Sequence, residues 1–301
     1  MLIADTHSDT LFEMGVKHTP AEGLAITPER LREGGVTLQT FALWTGREGN
    51  RGDVAGIVAA EMDALPRLKA AGLRQVDDPA EAKEGEQCFM LSFEGCEMFD
   101  EDIAQVALWR EKGVRMAALT WNNDNRIAHA AKSGSTEGLT DYGVRVVREM
   151  QRVGMAVDVS HLNEAGFYDI FAKTDVPPLA SHSCCRALCD HSRNLTDDQL
   201  RLLIREGGYV GMNFYPCFLS PDGQADCALI ARHIDHICQM GGEKVVGLGS
   251  DFDGIECTPS DLRHPGEIGH LMDALRALGY PQSAIEAIAG GNLVAYYARM
   301  K

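Results

Sequence analysis

Several features are scarce or missing in this 301-residue sequence. No run of about 18 apolar residues occurs, which excludes a membrane-spanning helix. Basic residues are few: 28 Lys and Arg stand against 44 Asp and Glu, a formal net charge of -16. That balance argues against nucleic acid or an anionic membrane as the main partner, because phosphate binding needs clustered cations. It says little about a small substrate, whose local field can oppose the global one. The nine cysteines are an odd count at irregular spacings without a CxxC pair, so neither a disulfide framework nor a cysteine-type zinc module is expected. The opening MLIADTHSDT has neither a basic stretch nor an apolar one, so no signal peptide is expected and a reducing, cytoplasmic setting is the best fit. Repeats, low-complexity tracts and Pro/Gly/Ser linkers are missing too. Residues 1–301 therefore read as a single domain.

What is present is an alternation of short apolar runs with longer amphipathic ones. The short runs are Leu2–Thr6, Val36–Trp44, Cys88–Phe93, Val114–Thr120, Met155–Ser160, Pro178–Ser181, Tyr209–Phe214 and Val245–Gly249. Helical patterns lie between them, among them Asp53–Ala71, Asp141–Val153, Asp197–Glu206 and Ala225–Met240. Strands that alternate with helices imply parallel pairing. Eight of them point to an α/β fold closed as a (β/α)8 TIM-type barrel, usually about 250 residues before insertions. An open doubly wound sheet is the rival, but DTHSDT stands where its Gly-rich fingerprint would follow the first strand.

Ionisable residues collect at the C-terminal ends of these runs: His7 and Asp9, Glu94, His161, His182, and Asp251 with Asp253. In a barrel these ends converge on the face that carries active sites. Any one of them alone reads as an ordinary strand-end residue. Three histidines and several carboxylates at strand ends of one polarity make a better case for a site. Imidazole plus carboxylate without thiolate suits zinc or a similar divalent ion in a hydrolytic centre. A carboxylate such as Glu94 can bridge two metals, which a neutral imidazole cannot. Metal-bound water is acidic enough to act as a nucleophile near neutral pH. The other histidines (His18, His129, His191, His233, His236, His264 and His270) fall in helical or loop segments and read as solvated or structural. Cys184, Cys185 and Cys189 read as small buried hydrophobes.

With His7-x-Asp9, Glu94 in FEG, His161 in DVSH, His182 in SHS, Arg193 in SRN and Asp251 in GSDFDG, the sequence resembles the membrane (renal) dipeptidase family of the amidohydrolase superfamily. The NFY of Asn213–Tyr215 and the GNL of Gly291–Leu293 extend the resemblance, which runs from residue 2 to about residue 297. It implies two zinc ions, with His7 and Asp9 on one, His161 and His182 on the other, and Glu94 bridging. It also implies Asp251 as general base and then acid. Arg193 would hold the free carboxylate of a dipeptide substrate; Tyr215 of the NFY and, on its own position, Trp121 are the further substrate contacts expected. A homodimer is the family expectation. One departure stands out. Family dipeptidases often carry a histidine at the end of the strand that here reads Leu119-Thr120-Trp121, and Trp121 takes its place. Indole donates one hydrogen bond but carries no positive charge, so the work of that histidine falls to the metal alone or to a neighbour: the Trp121 N–H, Asn122, Asn123, or His129 if its loop folds back over the site. Dipeptide hydrolysis is thus the expectation. Its rivals are another amide hydrolase of the superfamily, acting on an N-acyl amino acid or cyclic amide, and a silent metal-binding protein.

Overall fold

The structure, a computed structural model, describes residues 1–45 and 53–300. Its strands are β1 (Ala4–Asp5), β2 (Leu38–Trp44), β3 (Arg74–Gln75), β4 (Cys88–Glu94), β5 (Val114–Ala118), β6 (Ala156–Asp158), β7 (Leu179–Ser183), β8 (Tyr209–Met212) and β9 (Val246–Leu248). Every apolar run singled out in the sequence overlaps one of them, with β4 running one residue and β7 two residues past the expected end. β3 was not anticipated: two polar residues, one exposed and one half-buried, carry no hydrophobic signal.

All ladders are parallel, in the order β2-β1-β9-β8-β7-β6-β5-β4, and β2 also pairs with β4. Leu38 of β2 is the point of closure, paired with Ala4 on one side and Cys88 on the other. The eight strands other than β3 thus form a closed barrel wrapped by helices, the (β/α)8 fold. β3 pairs only with the first two residues of β4. Parallel strands buried on both faces read as near-continuous apolar runs, and β4, CFMLSFE, is buried throughout.

The strands' own residues fill the barrel's N-terminal end. Ala4, Leu38, Cys88, Met116, Ala156, Leu179 and Tyr209 pack together with Leu293, Tyr296 and Tyr297 of the last helix, Asn292–Arg299. Burying a side chain such as Leu293 contributes about 2 kcal/mol. The helices begin where the sequence marks them. Asp53 caps Val54–Ala70, Thr140 caps Asp141–Arg152, and Asp226 caps Cys227–Ile237. Thr196 and Gln199 form a capping box on Asp197–Glu206. That helix stops at Gly207, whose φ of 76° suits a residue without a β-carbon. Among the described residues no helix is long and apolar enough to cross a membrane.

Candidate metal centre

Every ionisable residue singled out at a strand end lies at the C-terminal mouth of the barrel. His7 and Asp9 follow β1, Glu94 ends β4, His161 follows β6, His182 lies in β7, and Asp251 follows β9. Two devices fix these ends. Asp5 Oδ1 accepts from Ser250 N at 2.9 Å and from His7 N at 3.2 Å, tying the start of one ligand loop to another. His161 and Asp251 hold φ of 66° and 65°, a conformation that costs non-glycine residues energy and tends to cluster at functional sites. Asp253 only braces the neighbouring loop, accepting from Thr10 Oγ1 at 2.7 Å and from Ala25 N at 2.5 Å.

Glu94 is the hub. Its Oε1 lies 2.9 Å from His161 Nε2, 3.4 Å from His182 Nε2 and 3.6 Å from His7 Nε2. His7 Nε2 is also 3.8 Å from Asp9 Oδ1 and 3.7 Å from Asp251 Oδ1. Two overlapping groups of donors result, His7–Glu94–His182 and His7–Asp9–Asp251. The outer faces of the rings are held as metal-binding imidazoles require. His182 Nδ1 meets Ser181 Oγ at 2.7 Å, and that hydroxyl bonds Asp158. Asp158 is itself fixed by Ser160 N and Ser181 N, both at 2.9 Å. His161 Nδ1 meets Asn122 Oδ1 at 3.0 Å.

The electrostatics fit a bound cation. Burial and then Asp251 push the Asp9 carboxyl well above its ordinary range, and burial and then Asp9 do the same to Glu94. Burial lifts Asp251 to about 7. The histidines move the opposite way: burial, then the Arg193 charge, drops His7 to about 3. His161 and His182 are also lowered, chiefly by burial. Burial thus disfavours uncompensated charge of either sign: the imidazoles stay neutral with their lone pairs free, and the crowded carboxylates call for a positive charge to offset their own. Among the described residues, His7 Nε2 and Asp9 Oδ1 are buried without a hydrogen-bond partner. Orphaned donors of this chemistry are satisfied by a divalent ion, hard enough for carboxylate and soft enough for imidazole.

A cavity of about 250 Å³ opens onto the cluster, with Arg193, Trp121 and Tyr215 in its wall. Arg193 is 4% exposed, and its Nε and Nη2 have no hydrogen-bond partner among the described residues. Trp121 packs edge-on against Trp44 at 5.0 Å between ring centres, and Trp44 against Phe12 at 4.6 Å. Tyr215 stacks edge-on to Phe218 at 4.9 Å. Among the ionisable residues of the wall, Lys132, His191 and Glu256 were not anticipated, and Asn122, a candidate from its place beside Trp121, was not anticipated as the partner of His161. They lie in loops, where neither periodicity nor a strand end marks them. His191 was expected to be solvated or structural, yet it accepts from Arg193 N at 3.2 Å and stacks on Phe218 at 4.5 Å. His129 pairs with Asp124 at 2.9 Å. Cys184, Cys185 and Cys189 are buried hydrophobes as expected.

Comparison with known proteins agrees with this picture. The family model described as membrane dipeptidase (peptidase family M19) matches residues 1–298. A Klebsiella pneumoniae protein known from the pqqA 5' region is 34% identical over 258 residues, covering 80% of this chain and 95% of that protein. A dipeptidase of Aspergillus oryzae is 35% identical over 210 residues, covering 68% of this chain and 50% of the relative, so the chain spans about half that protein's length. The metallopeptidase of Rhodobacter sphaeroides, solved with a phosphinate mimic of the dipeptide L-Ala-D-Ala, has a TM-score of 0.89 and 26% identity. Its match covers 100% of this chain and 99% of that one.

Proposed function

Since the chain belongs to the membrane dipeptidase family of metal-dependent hydrolases, peptidase family M19, we propose that its cavity hydrolyses small dipeptides with free termini. Two divalent ions, zinc by the chemistry of the donors, would be held by His7 and Asp9 on one side and His161 and His182 on the other, with Glu94 between them. When bound, the ions would polarise the scissile carbonyl and acidify water.

The chain's own groups divide the remaining work. Asp251 takes the proton released by the attacking water and passes it to the leaving amine as the C–N bond breaks. Its Oδ2 is occupied, accepting from Asn213 Nδ2 at 2.9 Å, which leaves Oδ1 for the proton. Arg193 binds the substrate's α-carboxylate through its unpartnered donors. Trp121 and Tyr215 form the walls against which side chains pack.

The observation that carries the proposal is the convergence of three imidazole Nε2 atoms on Glu94 Oε1, all within 3.6 Å. A free α-amine is favoured over an N-acyl group because Asp251 and Glu256 both line the cavity. Nine free cysteines suit a reducing cytoplasmic compartment, and residues 1–301 act as one domain. The test is a dipeptide library, with D-residues included at the second position, on metal-loaded protein. Turnover that is lost on chelation, restored by metal and abolished by blocking the α-amine is the expected result. Turnover that survives blocking would make the protein an N-acyl hydrolase instead.

A further inference from the structure

Asn122 sits in the loop after β5, beside Trp121, on the wall of the cavity that holds Glu94, His161, Arg193 and Asp251. Its Oδ1 is 3.0 Å from His161 Nδ1. The opposite ring nitrogen, His161 Nε2, points into the cluster, 2.9 Å from Glu94 Oε1 and 3.0 Å from His182 Nε2. For Nε2 to present a lone pair there, the imidazole must carry its proton on Nδ1. An Nδ1–H can be received only by the amide oxygen of Asn122, since the amide nitrogen has no lone pair to offer. The tautomer of His161 therefore decides which way the Asn122 amide faces, and its NH2 is turned away from the ring.

That NH2 makes no hydrogen bond among the described residues, although Asn122 is half-buried. The loop around it is otherwise well anchored. Asn125 Nδ2 donates to Leu119 O at 2.7 Å, and Asn125 Oδ1 accepts from Ile127 N and Ala128 N at 2.9 and 3.1 Å. Trp121 is wedged against Trp44. The amide is thus a donor of fixed direction, without a partner, on the wall of the reaction cavity. Amide hydrolysis builds negative charge on the substrate's carbonyl oxygen as its carbon becomes tetrahedral, and a preorganised N–H there lowers the barrier. Trp121 next door can supply no cation.

We infer that Asn122 is a catalytic residue with two roles: its Oδ1 fixes His161, and its Nδ2 donates to the developing oxyanion of the dipeptide substrate. The inference rests on the proposed dipeptide hydrolysis and names one more group in the same site.

Asn122→Asp separates the two roles, since it keeps an acceptor for His161 and removes both N–H donors. Asn122→Ala removes both. The measurements on metal-loaded protein are metal affinity by chelator competition, kcat and KM on the best dipeptide, and calorimetric binding of a phosphinate dipeptide analogue. For Asn122→Asp the expected result is metal affinity near that of the unaltered protein, KM little changed, and kcat lower by about 10²-fold. Phosphinate binding should weaken by a similar factor. Asn122→Ala should in addition loosen the metals by about 10-fold or more, as loss of a ligand's supporting bond does. If Asn122→Asp keeps its metals with kcat and phosphinate affinity within threefold of the unaltered protein, the donor role is overturned. Loss of activity strictly in step with loss of metal would reduce Asn122 to a support for His161 and also overturn it. Failure of the unaltered protein on every dipeptide would instead remove the functional proposal, and it would be seen before any variant is made. Phosphinate binding by the two variants would then still decide the donor role.

Discussion

Asn213 Nδ2 donates to Asp251 Oδ2 at 2.9 Å, while Asp251 Oδ1 stands 3.7 Å from His7 Nε2. One carboxylate oxygen is held by the scaffold and the other faces the reaction. Asp251→Asn will turn its own amide oxygen toward Asn213 and present an NH2 where a proton must be accepted. Metal content should remain and turnover should fall by about 10²-fold or more. Near-normal kcat, measured alongside metal analysis, would remove Asp251 from the mechanism.

Gly254 tests the geometry of the metal centre from the backbone side. A β-carbon there would lie 2.1 Å from Asp9 Oδ2 and 2.6 Å from Asp251 Oδ1. Both are far inside van der Waals contact, and both belong to side chains whose positions the site needs. Gly254 itself is exposed, so the fold has room to survive the change. Gly254→Ala should keep the circular dichroism spectrum and melting temperature of the metal-free protein but bind at least one metal equivalent more weakly. Unchanged metal affinity would show that Asp9 is not held where its carboxylate now lies.

Arg193→Lys keeps a positive charge and loses the planar fork. Its kcat/KM should drop for dipeptides with a free carboxylate and drop much less for dipeptide amides, which lack that anion. Equal losses on the two substrates would assign Arg193 a structural role, for example supporting Phe218, 5.6 Å from its guanidinium carbon.

Trp121 sits half-buried on the cavity wall with its ring edge-on to Trp44. Trp121→His opens space and introduces a group that can carry charge. Activity should rise on generic dipeptides and fall on the substrate this protein prefers, with Trp121→Phe intermediate. A substrate profile unchanged in both variants would make the position one of packing alone.

His233 provides a stability test away from the metal ligands. Its Nε2 meets Leu219 O at 3.0 Å and its Nδ1 accepts from Cys185 N at 3.2 Å, so the ring is held neutral between the loop after β7 and the end of the short helix Pro216–Leu219. Burial lowers it from 6.5 to about 4. Between those values the unfolded chain binds the extra proton, so stability from this group is fully present above pH 6.5 and is lost as pH falls toward 4. The fall from 6.5 to about 4 corresponds to about 3 kcal/mol at most. Denaturant unfolding of metal-free protein at pH 7.5 and pH 4.5 should show a smaller pH dependence in His233→Gln than in the unaltered chain. Equal slopes would mean that His233 stays charged or exposed.

Local sequence determined most of the architecture and marked the residues of the candidate site. A parallel strand buried on both faces must be apolar, and a helix must be capped, so runs such as Cys88–Phe93 and caps such as Asp53 and Thr196 announce themselves within a few residues. His7, Asp9, Glu94, His161 and His182 were legible for a related reason: ionisable residues at the end of an apolar run have few places to go except the mouth of a barrel. Tertiary structure alone decided that Glu94 is the atom on which three imidazoles converge, because those distances depend on strand register around the closed sheet. It alone turned His161 and Asp251 into left-handed backbone, gave His191, Lys132 and Glu256 a wall in common, and put the Asn122 amide against His161 Nδ1. Each of these meetings joins residues from different strand ends or loops, whose relative positions are fixed by packing around the closed sheet and carry no periodic signal in the local sequence.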